Sequence, residues 1–227
     1  GEGGIEVCER EPREPQSGEV LVKVAAAGIC GTDMQIYYWA PRMARRMELP
    51  RVLGHEICGI VEMIGEGVRN VAVGDYVSLE SHVYCGLCRT CRLGKAHLCE
   101  NTSYPGINFD GGFAEYVTVP SQIVWKVSEK IPKEVAVMME PFGISVHASM
   151  AGSGVAGKNV LVNGCGPIGL MNVATAKALG ATKVIACDIN PLRLKTAKTM
   201  GASCVVNALE EDLNSIVNSL TENSGVD

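Results

Sequence analysis

Four cysteines, Cys85, Cys88, Cys91 and Cys99, fall within fifteen residues in a Cys-x2-Cys-x2-Cys-x7-Cys arrangement. Two-residue gaps let neighbouring sulfurs converge on one ion, and the longer gap lets the chain loop back with the fourth. Four thiolates suit tetrahedral Zn²⁺ and leave no open coordination position, so the expected role is structural. Gly86 and Gly94 supply the turns. An iron–sulfur cluster and a nucleic-acid zinc ribbon are the alternative uses of such spacing, the second disfavoured by an acidic chain.

A second constellation is more dispersed. Cys30-Gly31-Thr32-Asp33 follows a strand-like segment, and Gly54-His55-Glu56 comes about twenty-five residues later. Alone, each reads as readily as a structural turn. Together Cys30, His55 and Glu56 offer thiolate, imidazole and carboxylate, the ligand set of a catalytic zinc that keeps one position for water or substrate. Glu140, heading Glu140-Pro141-Phe142-Gly143, is a further carboxylate or a hinge residue at a domain junction. The Thr32 hydroxyl stands two residues past the thiolate, where it can relay an alcohol proton or cap a turn.

The third candidate is Gly164-Cys165-Gly166-Pro167-Ile168-Gly169, set between a strand-like and a helix-like run, with Asp188 nineteen residues after Gly169. Gly164 permits a tight turn, Gly166 lets the backbone approach a pyrophosphate, and Gly169 permits close helix–sheet packing. The helix N-terminus then faces the phosphate charge. Asp188 is placed to bind ribose hydroxyls and to repel a 2′-phosphate, which favours NAD over NADP. Arg193 is placed to stack on adenine, or is a solvated helix residue. A flavin site or a purely structural unit remains the alternative for the set.

The elements that position these groups change character along the chain. Runs at 19–24, 60–64, 75–79 and 114–119 read as short strands among Gly, Pro and Asp, a β-rich, barrel-like first domain. Helical spacing runs from 133 to 150, with Pro141 breaking it. Beyond 157, strands at 160–162, 183–187 and 203–207 alternate with helices at 168–179, 191–200 and 211–220, which implies a parallel, doubly wound sheet. The expected fold is therefore α/β. Residues 1–150 form a zinc-binding domain with a metal lobe at 82–101, and 151–227 form the first half of a Rossmann domain. Only about three β-α units precede Asp227, so the sequence reads as truncated within that domain, and such a fragment can lack activity whatever its parent does.

Composition sets outer bounds. The chain has 227 residues, 26 of them Gly and 10 Cys, and a formal net charge of −5. An acidic chain argues against nucleic acid as the main partner. No apolar run approaches the roughly 18 residues of a membrane helix, and the Gly-Glu-Gly-Gly start has no secretory pattern, so a cytoplasmic protein is expected. Clustered thiols in such a protein are metal ligands rather than disulfides. Cys58, Cys165, Cys187 and Cys204 lie in or beside apolar runs and are expected to be buried.

In family order these motifs resemble the zinc-containing medium-chain alcohol dehydrogenases, over essentially the whole chain. The resemblance is greatest to the branch that acts on L-threonine, through the run from Ile29 to Trp39, the four-cysteine lobe with His97, Asn101 and Thr102, and Glu140-Pro141-Phe142-Gly143 leading to Val146-His147. It implies a GroES-like catalytic domain and a catalytic zinc on Cys30, His55 and Glu56, with Glu140 as exchanging ligand or proton relay. It also implies His82 near the substrate, and NAD contacts from Ile168, Asp188 and Arg193. The implied reaction is oxidation of a secondary alcohol by NAD, L-threonine to 2-amino-3-oxobutanoate, with a polyol or 2,3-butanediol as the alternative. A homotetramer is implied for the full-length protein. Two positions depart from the family: Gln35 stands where its relay histidine is found, and Ile144 replaces an Asn.

Overall fold

The computed structural model of the protein describes residues 4–227. Residues 1–3, part of the Gly-Glu-Gly-Gly start, lie outside the described residues. The chain divides into two compact units between Glu140 and Pro141.

In the first unit, β1 (Glu19–Gly28) is followed by two short helices, α1 (Gly31–Tyr37) and α2 (Pro41–Ala44). Strands β2 (Glu56–Ile64) and β3 (Tyr76–Leu79) come next, then α3 (Arg89–Arg92), β4 (Tyr116–Pro120), β5 (Val124–Lys126) and α4 (Lys133–Ala136). The five strands form one antiparallel sheet in the order β4-β1-β2-β3-β5. β-Branched and aliphatic side chains alternate inward, and Val20, Val22, Ile57, Val61, Val77, Leu79 and Val119 form its buried core. Register shifts in the β1–β2 pair, at Leu21/Val22 and Val24/Ala26, mark bulges of the kind that bend a strand and strengthen its twist.

The sheet registers Gly28 opposite Glu56. That pairing joins two motifs far apart in sequence, because Cys30 follows the end of β1 and His55 precedes the start of β2. Two expectations are corrected here. β2 begins at Glu56 rather than 60, and Asp75 lies outside β3, where its carboxylate accepts the Ala72 N–H (2.9 Å) and pairs with Lys126.

The helical run from 133 to 150 is two helices, α4 and α5 (Met139–Met150). The interruption lies at Val137 and Met138, and Pro141 sits within the first turn of α5. A first-turn residue has no intrahelical acceptor for its N–H, so the missing proline donor breaks nothing there.

The second unit is a three-stranded parallel sheet, β6 (Asn159–Asn163), β7 (Lys183–Asp188) and β8 (Cys204–Asn207), in that order. It carries α6 (Pro167–Ala178), α7 (Pro191–Thr199) and α8 (Leu213–Leu220). Val162, Cys165, Val173, Val184, Ala186, Leu194 and Ala197 form its core. Asn190 caps α7 by accepting the N–H of Leu192 (2.9 Å) and Arg193 (3.3 Å). Cys58, Cys165 and Cys187 are buried. Cys204 is only half-buried, because β8 pairs with β7 alone and is the edge strand of the described sheet. No helix among the described residues is long and apolar enough to cross a membrane.

Candidate active site

The Sγ of Cys30, a ring nitrogen of His55 and a carboxylate oxygen of Glu56 lie within 4.8 Å of one another. Cys30 ends the approach to α1, and its N–H donates to Asp33 Oδ2 at 2.8 Å, fixing that turn. Gly54 holds φ +93°, and a Cβ there would meet the Phe113 ring at 2.5 Å. Gly111 packs so tightly that its Cβ would lie 2.1 Å from the Gly54 carbonyl oxygen. His55 is thus presented from a backbone corner that only glycines allow.

The electrostatics of the three groups are mutual. His55 leads in drawing the Cys30 thiol below its ordinary range, helped by the Thr32 N–H and hydroxyl and opposed by burial. Burial acts to lower His55, but the bond with Cys30 and the charges of Asp33 and Glu140 raise it above the usual imidazole range. Burial, then the Glu140 charge, raises Glu56. A thiolate, an imidazole and a carboxylate converging in a half-buried corner without a compensating cation fit a divalent metal, and their soft-to-hard mixture fits zinc.

Thr32 lies in the first turn of α1, where its hydroxyl helps to draw the Cys30 thiol down. Glu140 lies outside the three-ligand group, and its Oε1 accepts the Ser81 hydroxyl at 2.5 Å. His82 pairs through Nδ1 with Glu80, and its ring meets the Tyr104 edge at 5.0 Å. The Glu80 bond leads in raising His82, with burial opposing and Glu140 adding.

Three supporting residues, Glu80, Ser81 and Gly28, carry no motif of their own, and a fourth, Asp33, closes the Cys30-Gly31-Thr32-Asp33 run. Asp33 Oδ1 and His55 Nδ1 are both buried without a hydrogen-bond partner and face each other at 3.9 Å. Glu80 and Ser81 orient His82 and Glu140. A Cβ at Gly28 would come within 2.2 Å of Glu56 Oε2. The one sequence signal for Asp33 is an acid at the third residue of a helix whose N-cap N–H it accepts.

The four-cysteine lobe brings its sulfurs within 4.8 Å of one another. Cys88 Sγ lies 3.5 Å from Cys91 and 3.9 Å from Cys99, and Cys99 lies 3.5 Å from Cys85. Zinc–sulfur bonds of about 2.3 Å in a tetrahedron place sulfurs about 3.8 Å apart, so the arrangement fits the ion. Backbone N–H groups of Cys88, Cys85 and Asn101 point at these sulfurs from 3.3 to 3.4 Å. The Thr90 hydroxyl leads in drawing the Cys88 thiol down to about 5, whereas burial and neighbouring sulfurs push Cys91 up to about 12. A cation among the four sulfurs would offset the charge of their thiolates. None of the ten cysteines is in a disulfide.

In the second unit, Gly164 adopts φ +97° and Gly166 caps α6, with Pro167 in its first turn. A Cβ at Gly169 would lie 1.9 Å from the Gly164 carbonyl oxygen, whereas a Cβ at Gly166 meets nothing within 4 Å. Gly169 therefore serves close packing, and Gly166 fronts open space at a helix N-terminus, the cradle a pyrophosphate needs. Asp188 sits at the end of β7 and accepts N–H bonds from Ile189, Asn190 (both 2.8 Å) and Cys165 (2.7 Å). These bonds, Asn190 first, hold its carboxyl below the usual range. They use three of roughly four acceptor positions on a carboxylate. Arg193 is half-exposed 3.8 Å from Asp188, and Ile168 is exposed beside the cradle.

Comparison with known proteins gives a consistent picture. The alcohol dehydrogenase GroES-like domain family matches residues 16–129, and the zinc-binding dehydrogenase family matches residues 167–227. The chain is 46% identical over 224 residues to L-threonine 3-dehydrogenase of Pyrococcus horikoshii, covering 99% of this chain and 64% of that protein. It is 49% identical over 209 residues to L-threonine 3-dehydrogenase of Bacillus subtilis, covering 92% and 60%. Among solved structures, galactitol-1-phosphate dehydrogenase from Escherichia coli aligns with a TM-score of 0.90 at 33% identity, covering 97% of this chain and 63% of that one. The 2R,3R-butanediol dehydrogenase from Bacillus subtilis aligns with a TM-score of 0.88 at 30% identity, covering 100% and 66%. The chain thus spans less than two thirds of the length of these relatives. With the GroES-like match covering half of its residues, the chain belongs to the zinc-binding alcohol dehydrogenase family.

Proposed function

We propose that the protein oxidises the secondary hydroxyl of L-threonine with NAD⁺, giving 2-amino-3-oxobutanoate, NADH and a proton. The observation that carries the dehydrogenase reading is the convergence of Cys30, His55 and Glu56. The identity to L-threonine 3-dehydrogenases supports the substrate.

In this reading Cys30, His55 and Glu56 hold a zinc ion, and Cys85, Cys88, Cys91 and Cys99 hold a second, structural one. Zinc at the first site supplies a Lewis acid that lowers an alcohol's pKa, and NAD⁺ supplies the hydride acceptor. Asp33, beside His55 Nδ1, keeps the ring proton on that nitrogen and leaves the Nε2 lone pair for the ligand position. The Thr32 hydroxyl, which helps to draw the Cys30 thiol down, is placed to accept a proton and pass it on. Gln35 cannot accept a proton at neutral pH, so the outward path runs through other groups. Glu140, held by Ser81, and His82, held by Glu80, are the titratable groups beside the cluster. On the second unit, Gly164, Gly166, Pro167, Ile168 and Gly169 cradle the pyrophosphate. Asp188 takes a ribose hydroxyl at its remaining acceptor position, and its charge repels a 2′-phosphate.

A second reading, a polyol or 2,3-diol dehydrogenase, is favoured by Gln35 and by the structural likeness to butanediol dehydrogenase. The test is NADH formation by the full-length protein with L-threonine and, separately, 2,3-butanediol, with and without a zinc chelator. Chelator-sensitive turnover on threonine supports the first reading. Turnover on the diol alone moves the substrate to the second, and no turnover on either refutes both. The residue roles belong to the same proposal, as do a homotetramer and a cytoplasmic setting for the whole protein, for which the family resemblance is the support.

A further inference from the structure

We infer that a cleft in the first unit, lined by none of the metal-site or dinucleotide residues named above, binds a small oxyanion: a carboxylate or a phosphate group. The cleft measures about 160 Å³ and is lined by Arg46, Glu48, Arg51, Ile107 and Asn108. At about 30 Å³ per water in the liquid, that volume holds one small oxyanion and a few waters.

Three side chains there present hydrogen-bond donors. Arg51 is 16% exposed in its side chain, and its Nη1 lies 3.5 Å from Asp110 Oδ1. Its Nε is buried with no hydrogen-bond partner. An unsatisfied buried guanidinium N–H is costly, so the Arg51 side chain is short of an acceptor. Arg46 lies over the Tyr104 ring, 5.7 Å from its centroid, an arrangement that orients the guanidinium while leaving its N–H groups uncommitted. Asn108 Oδ1 accepts the Tyr104 N–H at 3.0 Å. With its oxygen committed, the Asn108 amide is left with its NH₂ as donor. Glu48 is the one carboxylate among the lining residues, and Asp110 pairs with Arg51, so Arg46 is the guanidinium there without a carboxylate partner among the described residues. Arginine forks match carboxylate and phosphate oxygens in pairs, and the sum of these features is a donor-rich pocket.

The pocket is also preformed. The Asn108 N–H donates to the Tyr104 carbonyl at 2.9 Å, closing the turn that carries both lining residues 107 and 108. Ile107 is buried with Ile36, Met43 and Met47, which anchor α1 and α2. Tyr104 stands between Arg46 on one side and His82 on the other.

Titration calorimetry of the full-length protein with sodium phosphate, and separately with sodium acetate, at constant ionic strength tests this. Wild type is expected to bind one anion per chain saturably, with the tighter of the two naming the class: a tetrahedral dianion or a planar carboxylate. Arg46→Met and Asn108→Asp are each expected to weaken that binding by at least about tenfold. Both positions are exposed, and Asp at 108 keeps an acceptor for the Tyr104 N–H while replacing the donor with a charge. Arg69→Met, an exposed arginine elsewhere, is expected to change nothing. Absence of saturable binding of either anion overturns the inference. So does binding that Arg46→Met and Asn108→Asp leave unchanged, since the anion is then held elsewhere.

Discussion

A glycine opposite a carboxylate shows how narrowly the metal corner is built. In Gly28→Ala the new Cβ would stand 2.2 Å from Glu56 Oε2, so the carboxylate must leave its position beside Cys30 and His55. Metal analysis of this variant is expected to fall from about two zinc ions per chain to about one, the four-cysteine site being untouched. Retention of both ions would show that Glu56 is dispensable as a ligand. Asp188 makes a prediction on pH. Its folded pKa is depressed, so its contribution to stability is full above the ordinary carboxylate range, about 4, and is lost as pH falls through the lower folded value. At neutral pH, Asp188→Asn is expected to cost about 1–3 kcal/mol in denaturant unfolding. The gap to wild type should close as pH falls below the ordinary carboxylate range and through the lower folded value. A constant gap across that range would mean that the charge of Asp188 is not what its three N–H bonds stabilise. The residues that converge in the two clusters were legible in sequence as candidates, because thiols and imidazoles carry their chemistry in their type and the lobe carries its geometry in short spacings. Asp33, Glu80, Ser81 and Gly28 were not, since their roles depend on which residue a distant strand or turn sets beside them.

At the scale of elements, the metal lobe has little else to hold it. α3 spans only Arg89–Arg92 and buries no residue, and Leu87, Leu93 and Leu98 are exposed. The four sulfurs and the N–H groups aimed at them are the main links in this segment, so metal removal is expected to open it locally. Trypsin after chelation should cut first at Arg89, Arg92 or Lys95, with the antiparallel sheet still folded by circular dichroism. Unchanged resistance in these bonds would show that the lobe holds without metal. Strands and helices of the second unit were readable from their alternating texture, Pro-initiated helices and Gly stops. α1 and β5 were not. α1 has seven residues, buries only Asp33 and Ile36, and owes its place to the Cys30–Asp33 turn, while β5 has three residues and exists through its pairing with β3. Pro141 misled because a proline in a first turn terminates nothing, and Cys204 because the strand that carries it pairs on one side only among the described residues.

For the whole molecule, the change from antiparallel strands to β-α alternation located two folding units. The division into compact units falls after Glu140, within the first turn of α5, ten residues before the expected boundary at 150. The likeness to L-threonine 3-dehydrogenases and the likeness to a butanediol dehydrogenase run through this same architecture, so single contacts rather than the fold separate the two substrates. The central claim, that Cys30, His55 and Glu56 form a metal-dependent reaction centre distinct from the four-cysteine lobe, can be isolated by one substitution. Zinc content and NADH formation should be measured together for the full-length protein and its His55→Ala variant. About two zinc ions per chain with turnover in the first, and about one with turnover lost in the second, is the predicted result. Turnover that survives with a single zinc in His55→Ala would contradict it.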